Sequence, residues 1–275
     1  MEKILFPTDF SDMATLAYRY CLKVAQQVNA PVEVLHVYRG DFGVPVPEVM
    51  AYKLLEERKL ASEKRIETFA ALGETDTPLT TEQQANISTS IEMGLATDVI
   101  VERTQDDDVD LIVMGTKGEH NLVEVVFGSV TSATINRAAC PVLAVPENVE
   151  FNAIKKIAFA TDLSDQSIEQ LDEVITWANK FNAELHYVFV KTDSSPVDEA
   201  RVEELLEAQT NGLAATYHQV KNPHVAQGIN NFIEQEGIDL LIMHHPQKGF
   251  FQRLFTASET RQMAFRSKVP LLVWR

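Results

Sequence analysis

Lys3-Ile4-Leu5-Phe6-Pro7-Thr8-Asp9-Phe10-Ser11-Asp12 returns 153 residues later as Lys156-Ile157-Ala158-Phe159-Ala160-Thr161-Asp162-Leu163-Ser164-Asp165. Asp110-Leu111-Ile112-Val113-Met114 returns as Asp239-Leu240-Leu241-Ile242-Met243, and Pro141-Val142-Leu143 as Pro270-Leu271-Leu272, both 129 residues on. Gly128-Ser129 is echoed in that second register by Ala257-Ser258. Self-similarity at this scale marks a duplicated structural unit. The chain therefore reads as two copies of one domain, 1–148 and 152–275, the second 24 residues shorter in its middle.

Each copy alternates two kinds of pattern. Ile4–Phe6, Val32–Val37, Leu111–Met114 and Val142–Val145 are short apolar runs of strand length, while 86–93 alternates with Ile87, Thr89, Ile91 and Met93 on one face, as at a sheet edge. Between them, Ala17, Tyr20, Cys21, Val24, Ala25 and Val28 form one helical stripe, with Ser11 at the N-cap position and Ser164 as its copy. Strands alternating with helices require parallel pairing and helices on both faces. The expected fold is α/β: two tandem doubly wound domains, each with five strands and about four helices. Sheets of this kind place ligands beyond the carboxyl ends of the strands, where the strand order reverses.

Composition narrows the function classes. The 275 residues are 45% hydrophobic and 23% charged, and the net charge is −16. Such a charge repels nucleic acid and anionic lipid, whose binding needs clustered Lys and Arg. The acid is uneven, with 12 basic against 24 acidic residues in 1–150 but 12 against 16 in 151–275. No apolar run reaches the roughly 18 residues of a membrane span. Ile4–Phe6 is too short for a secretory signal, and two cysteines far apart give no disulfide framework, so a cytoplasmic protein is expected.

One motif carries chemistry. After the run Leu111–Met114 stands Gly115-Thr116-Lys117-Gly118, then nine residues, then Gly128-Ser129-Val130 at a helix start. A pattern of three glycines plus Ser or Thr at fixed spacing arises by chance about 0.002 times in a chain of this length. Gly115 and Gly118 let backbone approach an anion closely, and a helix start at Gly128 and Ser129 offers free N–H groups and the positive dipole end. Such a cradle binds phosphate without a basic cluster, which suits an acidic chain.

Here the residues resemble the ATP-binding branch of the universal stress protein family. The carriers are Pro7-Thr8-Asp9-Phe10-Ser11, Leu35-His36-Val37, Asp110 through Gly118, Gly128-Ser129-Val130 and Cys140-Pro-Val-Leu-Ala-Val145. The resemblance implies a five-stranded parallel sheet of order 3-2-1-4-5 in each copy. It implies Asp9 and Val37 at the adenine, Met114 and Gly115 near the ribose, and Gly118, Gly128, Ser129 and Val130 around the phosphates of ATP, with Mg2+ on those phosphates. It also implies pairing of domains through the last strand, here Pro141–Val145 and Pro270–Trp274. Joined in one chain, the two copies are then expected to dock as an intramolecular pseudo-dimer; a homodimer of chains is compatible with this and not required.

The second copy departs from the pattern. His244, Gln247 and Ala257 replace Gly115, Gly118 and Gly128, although Asp162 and Ser258 remain, so ATP is expected only in the first copy. The other candidates read as structural. His244 and His245 point to opposite faces of a strand, and His36 is a strand histidine rather than a base. Lys117 and His120 lie in the loop over the phosphate site, and Asp106–Asp108 form a solvated turn. Cys21 and Cys140 are core thiols. Residues 47–72, with Leu54, Leu55, Arg58, Ala61 and Arg65, predict an amphipathic covering helix. No catalytic residue and no protein metal site are expected. The function class is a nucleotide-binding regulatory protein of stress response; the alternative is a slow ATPase or another adenine-nucleotide hydrolase or transferase on the same sheet.

Overall fold

The computed structural model describes residues 1–41, 45–76, 86–105, 108–116, 128–147, 149–192, 202, 215–244 and 268–274. They form two compact units, which part within the strand Val142–Val145.

The first unit begins with β1 (Ile4–Pro7), α1 (Asp12–Val28), β2 (Val32–Tyr38), α2 (Glu48–Asp76) and β3 (Ile87–Met93). It continues through α3 (Ala96–Arg103), β4 (Leu111–Gly115), α4 (Ser129–Arg137) and β5 (Val142–Val145). The strands lie in the order β3-β2-β1-β4-β5. β1 pairs in parallel with both β2 and β4, so the chain direction of winding reverses at β1 and β4. Ile4, Leu5 and Phe6 are wholly buried, as befits a central strand covered on both faces. β3 pairs with β2 and, within its sheet, occupies the edge that its alternating sequence predicts.

Local chemistry sets the helix ends. Ser11 caps α1 by accepting a hydrogen bond from the Ala14 N–H at 3.1 Å, and Asn29 closes the helix in the left-handed region at φ 51°. α2 departs from the expected covering helix. Its second half buries Ser62, Ile66, Phe69 and Ala70, with Phe69 packed on Phe6 and Tyr18. No residue of 48–61 is buried, and Val49 and Tyr52 are 86% and 70% exposed. The helix is continuous, but only its later turns lie over the sheet.

The second unit repeats the plan with β6 (Lys156–Ala160), α5 (Asp165–Glu169), α6 (Leu171–Phe181), β7 (Glu184–Lys191) and β8 (Ala215–Lys221). α7 (Val225–Glu236), β9 (Leu240–His244) and β10 (Leu271–Trp274) follow. Its order, β8-β7-β6-β9-β10, is again 3-2-1-4-5. Ser164 caps α5 as Ser11 caps α1, and Asn182 ends α6 in the left-handed region as Asn29 ends α1. The duplication thus reaches down to single caps. No helix among the described residues is long and apolar enough to cross a membrane.

Candidate functional site

The carboxyl ends of β1, β2 and β4 converge on one edge of the first sheet. Pro7 pairs with Leu35 and Leu5 with Ile112, and the Thr8 N–H donates to the Leu35 carbonyl at 2.8 Å. Asp9 therefore leaves β1 beside the end of β2 that carries Val37, while Met114 and Gly115 stand at the same end of β4. Six of the eight residues that the sequence singles out, Asp9, Val37, Met114, Gly115, Gly128 and Ser129, stand at these ends or at the start of α4, and Val130 follows in its first turn. Gly118, the eighth, lies outside the described residues, as do Lys117, His120, Gln247, Ala257 and Ser258. Asp9 and Ser129 are exposed, Val37, Gly115 and Val130 half-buried, and Met114 and Gly128 buried.

Two hydrogen bonds tie the end of β4 to the start of α4. The Gly128 N–H donates to the Thr116 carbonyl at 2.5 Å, and the Thr131 hydroxyl donates to the Gly115 carbonyl at 2.9 Å. Gly128 is the N-cap residue, in extended conformation, and no side chain caps the helix. The first-turn N–H groups of α4 are thereby held beside Gly115 without a side-chain acceptor on them from the cap, the arrangement that suits an anion. Thr116 and Thr131 escaped the sequence reading. A buried threonine one turn into a helix that opens on Gly-Ser is the signal that could have found Thr131.

At the other end of the site, the chain turns sharply after β1. The Asp9 Oδ1 accepts from the Ser11 N–H at 3.0 Å and the Thr8 hydroxyl from the Phe10 N–H at 3.0 Å. Phe10 adopts φ 64°, a left-handed conformation costly for a bulky residue, and Leu163 repeats it at 59°. The turn throws the Phe10 ring against His36, with ring centres 4.2 Å apart, while the Arg65 guanidinium of α2 covers Phe10 at 4.6 Å. The His36 Nδ1 meets the Thr8 carbonyl at 2.8 Å. Burial holds the His36 imidazole below its ordinary pKa, against the pull of the Thr8 carbonyl; Arg65 lowers it further and Asp9 opposes. His36 is thus a bonded strand histidine, as its sequence setting suggests. Arg65 and Phe10 come to the site only through the tertiary fold.

Neither thiol belongs to it. Both cysteines are buried; burial pushes the Cys21 thiol far up and that of Cys140 up to about 12.

The corresponding end of the second sheet is furnished differently. His244, in the place of Gly115, is buried at the end of β9, its ring 6.5 Å from that of Trp274, whose indole N–H donates to Gln170 at 2.8 Å. Asp162 is drawn into its own turn: Oδ1 accepts from the Ser164 N–H at 3.0 Å and from the Ser167 hydroxyl at 2.8 Å. The first copy has Ala14 at the position of Ser167 and offers Asp9 no such hydroxyl.

The fold has counterparts among known proteins. The family model for the universal stress protein family matches residues 1–146 and again 153–275. The chain belongs to the universal stress protein family. A universal stress protein of Synechocystis sp., Slr1230, is 26% identical over 299 residues, covering 100% of both chains. Universal stress protein MJ0531 of Methanocaldococcus jannaschii is 31% identical over 144 residues, 52% of this chain and 81% of its own. Among solved structures, a universal stress protein from Archaeoglobus fulgidus superposes with a TM-score of 0.71 at 19% identity, covering 100% of this chain and 98% of that one; it speaks to the fold alone. The tandem architecture is therefore two universal stress protein domains, each a doubly wound α/β unit.

Proposed function

We propose that this universal stress protein is a nucleotide-binding regulatory protein that holds one ATP, in its first domain. The observation that carries the reading is the bonded junction of β4 and α4, where Gly115 and Gly128 bring an uncapped helix start to the switch point of the sheet. Met114 and Gly115 would lie along the ribose, and Gly118, Gly128, Ser129 and Val130 would donate to the phosphates. Asp9, just past the end of β1, and Val37, near the end of the neighbouring β2, would meet the adenine edge through a carboxylate and backbone groups. Among the described residues no group of three or more His, Cys, Asp or Glu is placed to hold a metal ion. Mg2+ would travel on the nucleotide phosphates.

The second domain is not an ATP site in this reading. An imidazole stands where backbone must approach a phosphate, and Asp162 is committed to Ser164 and Ser167. Its short last strand, like that of the first domain, starts after a proline and is apolar, which supports a role as resident partner of the first domain. Expression of residues 1–150 alone tests that role, and a stable, soluble monomer with unchanged ATP affinity would refute it.

Mass spectrometry of nucleotide released from the purified protein, followed by calorimetry with Mg-ATP, tests the main reading. About one ATP per chain is expected; two equivalent sites, or none, would overturn it. A turnover assay at high protein concentration separates the regulatory reading from a slow ATPase.

A further inference from the structure

At the amino ends of the two sheets, far from the nucleotide site, the duplicated positions carry one polar cluster in two chemistries. In the first unit Glu33 of β2 is buried and accepts from Ser90 of β3 at 2.7 Å and from Arg103 of α3 at 2.8 Å, with the Lys3 ammonium at 3.2 Å. The repeat converts Lys3 to Lys156, Glu33 to His186 and Arg103 to Phe232. Ser90 lies opposite Leu35 in the β2–β3 ladder, and His218 lies opposite Val188, the copy of Leu35, in the β7–β8 ladder. His218 therefore stands where Ser90 does.

In the second unit the two imidazoles bond to each other, His186 Nδ1 to His218 Nε2 at 3.0 Å. Both rings pack on Phe232 of α7, at 6.4 and 4.8 Å between centres, and His186 is buried. Among the described residues, the charged groups acting on His186 are Lys156 from β6, Glu184 from β7 and Glu236 from α7. The Glu184 carboxylate is 3.8 Å from His186 Nε2 and mostly exposed, and the Lys156 ammonium donates to the Glu236 backbone carbonyl at 3.0 Å. Glu184 thus meets His186 only at the outer limit of an ion pair, and from the solvent side.

An imidazole–imidazole hydrogen bond needs one N–H and one lone pair. The neutral pair meets that condition, and so does the pair with one added proton. With two added protons, N–H faces N–H across 3.0 Å beneath an aromatic ring, and both cations need water. His36 differs, because a ring N–H donates to the Thr8 carbonyl whether or not the imidazole is charged. The Glu33 cluster differs too, since its carboxylate is already ionised and paired at neutral pH.

We propose that the His186–His218 pair makes the second unit an acid-opening element, in which proton uptake frees α7 from β7 and β8 while the first unit, ion-paired at the same positions, stays closed. The direction follows from linkage. Burial, then His218 and Lys156, lower the His186 pKa below its ordinary value, with Glu184 and Glu236 opposing. The open form therefore binds more protons than the closed one, so the closed form is fully favoured above about pH 6.5 and loses ground as pH falls below it.

Hydrogen exchange of the full chain between pH 7.5 and 5.0, corrected for intrinsic exchange, tests this. Protection in residues 215–236 should fall by up to about tenfold per pH unit for each proton taken up. Residues 32–38 and 87–103 should keep theirs. His218→Gln, which retains a hydrogen-bonding side chain but cannot titrate, should flatten the response. Equal loss in both units, or an unaltered response in His218→Gln, would overturn the proposal. If that variant does not fold, proton NMR of the wild-type His186 imidazole decides: titration below the ordinary histidine value supports the proposal, and titration near 6.5 refutes it.

Discussion

Replacing Glu33 by Gln removes one charge from the first unit while keeping the shape of the side chain. The carboxylate is only 7% exposed and accepts from Ser90, Arg103 and Lys3. Leaving a buried partner charge fully orphaned costs about 3–5 kcal/mol. That limit does not apply here, because Arg103 keeps Glu92 at 3.2 Å and Lys3 keeps Asp108, and their side chains are 22% and 23% exposed. What is lost is one charge-assisted hydrogen bond and the attraction to Lys3, about 2 kcal/mol, or roughly 30-fold in the opening equilibrium. The pH dependence has a definite sign. Burial raises the Glu33 pKa, but Ser90, Lys3 and Arg103 outweigh it and hold the carboxyl below its ordinary range. The contribution is therefore present above about pH 4.3 and is lost as pH falls through the lower folded value. The assay follows from where the tryptophans are. Trp177 and Trp274 both lie in the second unit, so fluorescence reports that unit, and hydrogen exchange in residues 32–38 and 87–103 must report the first. A loss below about 0.5 kcal/mol at pH 7, or one that persists undiminished at pH 3, would refute the reasoning; exposed pairs give values in that lower range.

Gly228→Ala should destabilise the second unit despite the higher helix propensity of Ala. The new Cβ would stand 2.7 Å from Val190 Cγ1 and 3.1 Å from Asn222 Cβ, and overpacking of about 1–3 kcal/mol exceeds a propensity gain of about 1 kcal/mol. A tryptophan-monitored urea midpoint that is unchanged or raised would refute this. Both thiols should resist Ellman's reagent at pH 8 in the native protein and react, two per chain, once it is unfolded; rapid native labelling would contradict their burial. Gly118→Val should abolish ATP binding with little change in urea stability, and a folded variant with unaltered affinity would remove the phosphate assignment.

The repeated stretches 3–12 and 110–114, with their copies, carry much of what sets the fold. Apolar runs at β1, β4 and β9 specify buried strands because burial periodicity is written in neighbouring residues, and Ser11 and Ser164 mark helix starts because a cap bonds only three residues ahead. The glycine spacing behind the proposed nucleotide site is readable for the same reason, since it is local. Tertiary structure alone decided the rest. α2 could be read as a helix, but its pattern does not say that only its turns from residue 62 onward lie over the sheet. Arg65 reads only as part of a covering helix and Phe10 only as part of the repeated motif, and it is the packing of α2 on Phe6 of β1 that brings the two together. Glu33 and Arg103, seventy residues apart, and His186 and His218, thirty-two apart, carry no mutual signal in the sequence. A polar side chain in a strand pattern is ordinarily taken to face water. Whether it does depends on what a distant segment brings against it, and in the two units the same position received an arginine and a phenylalanine.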